Sequence, residues 1–391
     1  MFVGRRVAIY YLVWLSVVIN TGRVLGQSPD SPQTPYAQMD RSAVDYRGPG
    51  RRTSSDISSK TATIGILLPQ QGADAEQGRA LLKAAQLAVS DENKSGPLPD
   101  GRLFSLAEKN EFGNWGQSTS EMMRLITEDE SLALIIGANG NLAHQAEQIA
   151  NKLGISIVTL ASDATTTEIN IPWIFRVVPS DDQQAEDIAQ GVYDRNKSAR
   201  VLLISTTDHD GRAGKQAFTR AARAVGAAPT ELDLDPELVD TGQVGEKLRT
   251  IKPDAVVFWT SSLVFEELLD TVRSVKSVRL IYACEKAALP LLSNPAADSG
   301  NIPVRVPIIG ADSSQAGMSE QVYRAVRLIA AAIRTAGMNR ARVRDALARI
   351  TLGAAGESSP VFDGAGNLLA KPQLVIMNPA PTQRHESSSA N

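Results

Sequence analysis

The order of apolar runs predicts an α/β protein of two similar lobes, each a parallel sheet flanked by helices, with a cleft between them. Three observations carry that expectation. Short β-rich apolar runs alternate with longer stretches of helical period. The alternation occurs twice, with a break near Pro179. A length of 391 residues also exceeds one ordinary core and points to two domains or three.

In the first round Ala62–Leu68 reads as a strand. A helix follows over Ala73–Glu92, because Leu81, Leu82, Ala85 and Ala88 form one stripe. Phe104–Ala107, Leu132–Ile136, Ile155–Leu160 and Ile174–Val178 read as further strands, separated by helices over Thr119–Thr127 and Leu142–Leu153. In the second round the helices are Asp181–Arg195, Gly214–Val225, Gly242–Ile251 and Val264–Val275, and the strands Arg200–Ser205, Ala255–Trp259 and Leu280–Ala283. A last helix spans Ser319–Thr335, where Val322, Val326, Ile329, Ala330 and Ile333 form a core stripe rather than a cofactor box. Open α/β sheets hold ligands at the C-terminal ends of their strands, so the cleft is the expected site.

Composition narrows the function. Hydrophobic residues make up 43% and charged residues 21%, which fits a soluble globular chain over most of its length. The single cysteine, Cys284, excludes an internal disulfide or a multi-cysteine zinc site, and a buried inert thiol is its expected state. His144, His209 and His385 are far apart in sequence, so no His-rich metal site is expected. With a net charge of −3, nothing points to nucleic acid.

The ends read differently from the core. Arg5 and Arg6 precede an apolar run from Val7 to Ile19, and small or polar residues follow to Gly26. That order is a cleavable signal peptide over 1–26, since the run is shorter than the ~20 residues of a spanning helix. Its removal leaves a net charge of −6. No cysteine stands near the cut, which argues against a lipid anchor there. Residues 27–60 and 378–391 are rich in Ser, Pro, Gln and charge and read as a disordered linker and tail.

The residues also carry a resemblance. Thr63-Ile64-Gly65-Ile66-Leu67-Leu68-Pro69, then Gly72, Gly78, Ala84, Ala85 and Ala88 up to Asn93, resemble the opening of type I periplasmic binding proteins of the Leu/Ile/Val-binding family. Leu134-Ile135-Ile136-Gly137, Gln145 to Ala150, Ile155 to Ser162 and Phe175-Arg176-Val177-Val178-Pro179-Ser180 continue it in order. Val201–Thr206 and Asp254-Ala255-Val256-Val257-Phe258 carry it into the second round, and Ser359 to Asn367 is similar to the family's closing hairpin. The series is specific as a whole rather than in any piece. One departure is the stretch Ile308–Met318, which is short for the extra helix the family carries there.

The resemblance implies lobe one over 61–179 plus 308–350, and lobe two over 180–307 plus 351–377. It implies a monomeric periplasmic protein that is not an enzyme and needs no cofactor. Such a protein closes its hinge on a small polar ligand, an amino acid or an amide, and delivers it to the permease of an ABC transporter. A sensor or envelope partner on the same fold is the alternative.

Seven residues are candidate ligand contacts. Backbone N–H groups at Gly140 and Asn141, where a strand gives way to a helix, favour a carboxylate; capping alone is the other reading of Asn141. The resemblance implies that Ala161 and Ser162 supply a carbonyl and a hydroxyl, with Asp163 beside them either facing the ligand or closing a turn. It places Ser261 where the family often has an aromatic cover, and there Trp259 is the other candidate. It matches Glu285 to an acid that pairs with a ligand amine, against a plain surface acid. Gln70, Gln71, Gly72 and Trp115 are candidates for the facing wall. Enzyme readings fare worse: Asp208-His209-Asp210 are adjacent and do not converge on an ion, Gly137 to Gly140 is no dinucleotide fingerprint, and no G-x-S-x-G elbow exists.

Overall fold

The computed structural model describes residues 57, 59–72, 74–168, 171–194, 196–294, 300–309, 317–352 and 359–377. The expected signal peptide, most of the linker, the tail and residues 310–316 of the short connection lie outside the described residues.

The first sheet holds five parallel strands in the order β2-β1-β3-β4-β5. These are β1 (Ala62–Leu68), β2 (Phe104–Asn110), β3 (Ala133–Ile136), β4 (Ser156–Thr159) and β5 (Ile174–Arg176). Strand β1 is buried along its whole length. Unbroken apolar runs of this kind are what a parallel sheet covered on both faces selects. Helices α1 (Ala75–Lys94), α2 (Trp115–Thr127), α3 (Gly140–Leu153) and the single turn α4 (Thr165–Glu168) belong to this lobe.

The second sheet has six strands in the order β13-β10-β9-β8-β6-β7. Strands β6 (Val201–Thr206), β7 (Thr230–Leu234), β8 (Ala255–Trp259), β9 (Leu280–Ala283) and β10 (Val304–Ile308) run parallel. Its helices are α5 (Asp181–Tyr193), α6 (His209–Ala224), α7 (Thr241–Ile251), α8 (Ser262–Arg273) and the short α9 (Leu289–Ser293). The chain then returns to the first lobe: α10 (Met318–Ala336) packs along α1 and across β1 and β3, and α11 (Arg340–Ala348) packs on α10 and β4. Strands β11 (Thr351–Leu352) and β12 (Ser359–Pro360) pair antiparallel, and β13 (Gln373–Ile376) closes the second sheet.

Most predicted elements lie within a few residues of their expected bounds, and the differences have local causes. The second sheet is not wholly parallel, since β13 runs antiparallel along β10. Strand β7 escaped the pattern because its sequence, Thr-Glu-Leu-Asp-Leu, is that of a half-exposed edge. Strand β10 carries Pro307, which reads as a breaker within a strand. Helix α6 starts at His209, five residues before its expected start, because the Asp208 side chain caps it by accepting from the Gly211 N–H at 2.9 Å. That early start puts His209 and Asp210 in the first turn of a helix.

Among the described residues no helix is long and apolar enough to cross a membrane.

Candidate functional site

Residues that follow β3, β6, β8 and β9 border one cleft of about 240 Å³, so the two sheets direct their strand C-termini at a common space. The volume falls just under the ~300–1,000 Å³ typical of drug-sized ligands and suits a small solute. A larger hollow of about 600 Å³ lies along α10 and α11, lined by Ala332, Thr335, Arg342 and Arg349. It shares no residue with the cleft and touches none of the strand ends that converge there. The smaller cleft is the candidate.

On the first lobe, α3 begins inside the cleft. Asn139, not Asn141, caps it, accepting from the Leu142 N–H at 3.2 Å. The Asn139 amide also donates to Glu111 Oε1 at 3.0 Å. Burial pushes the Glu111 carboxyl up to about 7, against the Asn139 hydrogen bond and the charge of Lys286. Asn141 stands exposed on the cleft wall.

The second lobe answers with a carboxylate. The Gly140 N–H donates to Asp210 Oδ1 at 3.0 Å, and Lys286 pairs with the other Asp210 oxygen. The approach is close enough that a Cβ on Gly140 would lie 2.5 Å from Asp210 Oδ1. Two helix N-termini, those of α3 and α6, thus face each other with an acid between them, which their positive ends favour. The anion expected at Gly140 is present, but it belongs to the protein.

Beside that contact stands a second cluster across the lobes. Asp163 Oδ2 lies 3.0 Å from His144 Nε2 and 2.7 Å from His209 Nε2. Thr165 holds the other oxygen, Oδ1, through its N–H at 2.9 Å and its hydroxyl at 2.8 Å. Burial opposes ionisation of Asp163, but the hydrogen bonds from His144, His209 and Thr165 outweigh it and keep the carboxyl below its usual range. His144 also meets Glu147 at 3.1 Å, and its two acidic partners, Asp163 first, raise it to about 10. Asp163 is therefore a bridge between lobes rather than only a turn acid. Although 65 residues separate His144 and His209 in sequence, their rings lie 5.4 Å apart.

The other candidates fall around this centre. Ala161 is buried, and its N–H donates to Thr159 Oγ1. The Ser162 carbonyl accepts from the Asp181 N–H at 2.7 Å and from Arg176 at 3.2 Å, and its hydroxyl bonds Asp181. Burial pushes Asp181 up to about 7. Ser261 caps α8, accepting from the Val264 N–H, and also borders the cleft. Trp259 is a core residue that donates to Asp181 Oδ1 at 3.3 Å; its indole lies over Gly214, where a Cβ would lie 1.7 Å from Nε1.

Glu285 is buried rather than a surface acid. Its Oε1 accepts from Gln321 of α10 at 2.7 Å, and its N–H donates to Gln184 Oε1. Among the described residues no cation pairs with it, and burial pushes its pKa up to about 8, so at neutral pH it is mainly a neutral acid spanning the lobes. Cys284 is buried, and its thiol is pushed up to about 12, as an inert core cysteine should be. Gln70 donates its N–H to Asn110 Oδ1, at the end of β2.

Sequence reasoning missed His144, Asp210, Lys286, Glu111 and Arg176 as residues of this region. Asp210 had a signal, an acid one residue after a helix start. The others are ordinary until the fold brings them together.

Comparison with known proteins agrees with this architecture. The model of a family described as "Periplasmic binding protein" matches residues 61–276. The Leu/Ile/Val-binding protein BraC3 of Rhizobium johnstonii is 25% identical over 199 residues, which are 50% of this chain and 53% of that protein. The chain therefore spans about half the length of the curated relatives it matches. Among solved structures it resembles the branched-chain amino acid substrate-binding protein LivJ of Streptococcus pneumoniae in complex with isoleucine, with a TM-score of 0.67, 17% identity, and coverage of 81% of this chain and 99% of that one. A solute-binding protein of an ABC transporter from R. palustris, in complex with benzoate, gives a TM-score of 0.69 at 16% identity, covering 81% and 93%. At such identities the likeness is one of fold.

Proposed function

Because the chain belongs to the periplasmic binding protein family, whose model covers more than half of it, we propose that it is an exported solute-binding protein that closes its two lobes over a small polar solute. The solute is an amino acid or an amide-like molecule, delivered to the permease of an ABC transporter in the inner membrane. In this reading the protein is a periplasmic monomer, secreted through the signal peptide over 1–26. The hinge separates 61–179 plus 308–350 from 180–307 plus 351–377, and closure is the motion that traps the guest.

The observation that carries the reading is the cleft of about 240 Å³, with Asn141 and Glu111 on one wall and Ser261, Asp210 and Lys286 on the other. Its polar lining suits a guest with both donors and acceptors. Gly140 and Lys286 would meet the guest's carboxylate once Asp210 gives way, and Glu111 would meet its amine. A thermal-shift panel of amino acids, amides and urea tests this. A true ligand at a hundredfold excess over its Kd should stabilise the protein by about 2.7 kcal/mol. A flat response across the panel would count against solute capture.

One observation favours a second reading, a sensor or envelope partner that retains the fold. Asp210 already supplies the carboxylate at the Gly140 N–H, so the closed form needs no guest to satisfy that donor. Asp210→Ala separates the two readings. Under solute capture the variant should bind carboxylate solutes about tenfold more tightly or better, since about 1.4 kcal/mol of self-competition disappears. An unchanged, flat panel in the variant would favour the partner module.

A further inference from the structure

We propose that His144, Asp163 and His209 form a binding site for a divalent transition cation of the zinc class, and that the cation clasps the two lobes together. This goes beyond solute capture, because the clasp needs no guest in the cleft.

The donor set is the first argument. One ring nitrogen each of His144 and His209 and one Asp163 oxygen all lie within 4.8 Å of one another. Two imidazoles and a carboxylate are ligands that zinc accepts, with bonds of about 2.0–2.2 Å. A tetrahedral ion with such bonds holds its donors roughly 3.3–3.5 Å apart, so the present separations of 3.0 and 2.7 Å need to widen by about 0.3–0.8 Å.

The surroundings are the second argument. The Asp163 Oδ1 atom is engaged by Thr165, which leaves Oδ2 as the single oxygen presented to the two rings. Glu147, almost fully buried, accepts from His144 Nδ1 at 3.1 Å. A carboxylate on the far nitrogen is the arrangement that orients metal-binding histidines, and a bound cation would take the place of the proton on Nε2. The other Glu147 oxygen, Oε1, is buried and has no partner. Thr165 Oγ1, 3.0 Å from His144 Nε2, or a water can complete four-coordination.

Position is the third argument. His144 and Asp163 belong to the first lobe, His209 to the first turn of α6 in the second. The cation would therefore hold the closed form and keep only two of its three protein donors when the lobes part.

The test uses the full chain after chelator treatment, titrated with zinc in a calorimeter with no solute present, beside small-angle scattering. One zinc per chain and a smaller radius of gyration are expected. His144→Ala and His209→Ala should each weaken binding at least tenfold and abolish the compaction, and Glu147→Gln should weaken it about tenfold. His385→Ala serves as the control and should bind as the wild type does. Circular dichroism establishes that the variants fold; should they not, the cobalt spectrum of the wild type decides, with tetrahedral bands expected and an octahedral spectrum overturning the site. No saturable binding to the wild type, or wild-type affinity in both histidine variants, also overturns it. Solute binding is measured in the separate panel, so either idea can fail while the other stands.

Discussion

Arg176→Met should destabilise the protein by about 3–5 kcal/mol, the range for breaking a buried charged network from one side. Arg176 is only 1% exposed at the end of β5. Its guanidinium donates to the carbonyls of Ser162 and Ala164 at 3.2 and 3.1 Å, and to the hydroxyls of Thr166 and Thr167 at 2.9 and 2.6 Å. Thr167 passes the chain on to Asn367 at 2.6 Å, and the Arg176 N–H donates to the Gly366 carbonyl at 2.8 Å. One side chain thus holds the loop that presents Ser162 and Asp163, and the loop near Asn367 with it. Burial pulls the guanidinium's pKa down, while the charges of Asp181 and Asp163 pull it up.

Methionine fills much of the volume but supplies no donor to those four groups, and a lost hydrogen bond from a charged group costs about 1.5–3 kcal/mol. Arg176→Lys should recover little, because a point charge cannot reach four acceptors with a planar fork. Urea denaturation at neutral pH reads both variants. A loss under about 1 kcal/mol for the methionine variant would show that the loop is held by other means.

The second large effect is on pH dependence. Glu285 is raised from 4.5 to about 8, Asp181 from 3.8 to about 7, and Glu111 from 4.5 to about 7, in each case mainly by burial. A raised carboxyl binds its proton more tightly in the folded chain than in the unfolded one. Its stabilising contribution is complete below the unfolded pKa and is lost as the pH climbs through the folded value. Stability should therefore fall from about pH 5 to pH 8, by about 1.4 kcal/mol per pH unit for each group inside its own window.

Glu285→Gln isolates one of the three. The amide keeps the shape and can still meet Gln321 and stay neutral at every pH. From pH 5.5 to 8 the wild type should lose roughly 2–4 kcal/mol more than the variant. Parallel curves would mean that Glu285 ionises without cost, and that it faces water or a cation instead of Gln321.

Much of the fold was legible because its signals are local. Strand β1 shows a continuous apolar run, and α10 shows a stripe at helical spacing, so each declares its type within a dozen residues. Ser180 opens α5 with a reciprocal capping box to Gln183, which the sequence places just after the break at Pro179. Where pattern failed, the local sequence was ambiguous: β7 is a polar edge and β10 contains a proline. The cleft was less legible. Gly140, Asn141 and Ser261 were found because they follow strand ends, a position any α/β sheet makes exposed.

By itself the sequence determined two lobes, their repeated order of strand and helix, and the ends of the sheets as the place for a guest. Those follow from periodicity and from steric preferences acting over neighbouring residues. Only the tertiary structure decided that Asp210 answers Gly140, that Gln321 meets Glu285, and that His144 and His209 share Asp163. Each of those pairs joins residues tens of positions apart, across lobes that no local pattern relates. Charge and hydrogen bonding act through space, so their partners become known only when the chain has closed on itself.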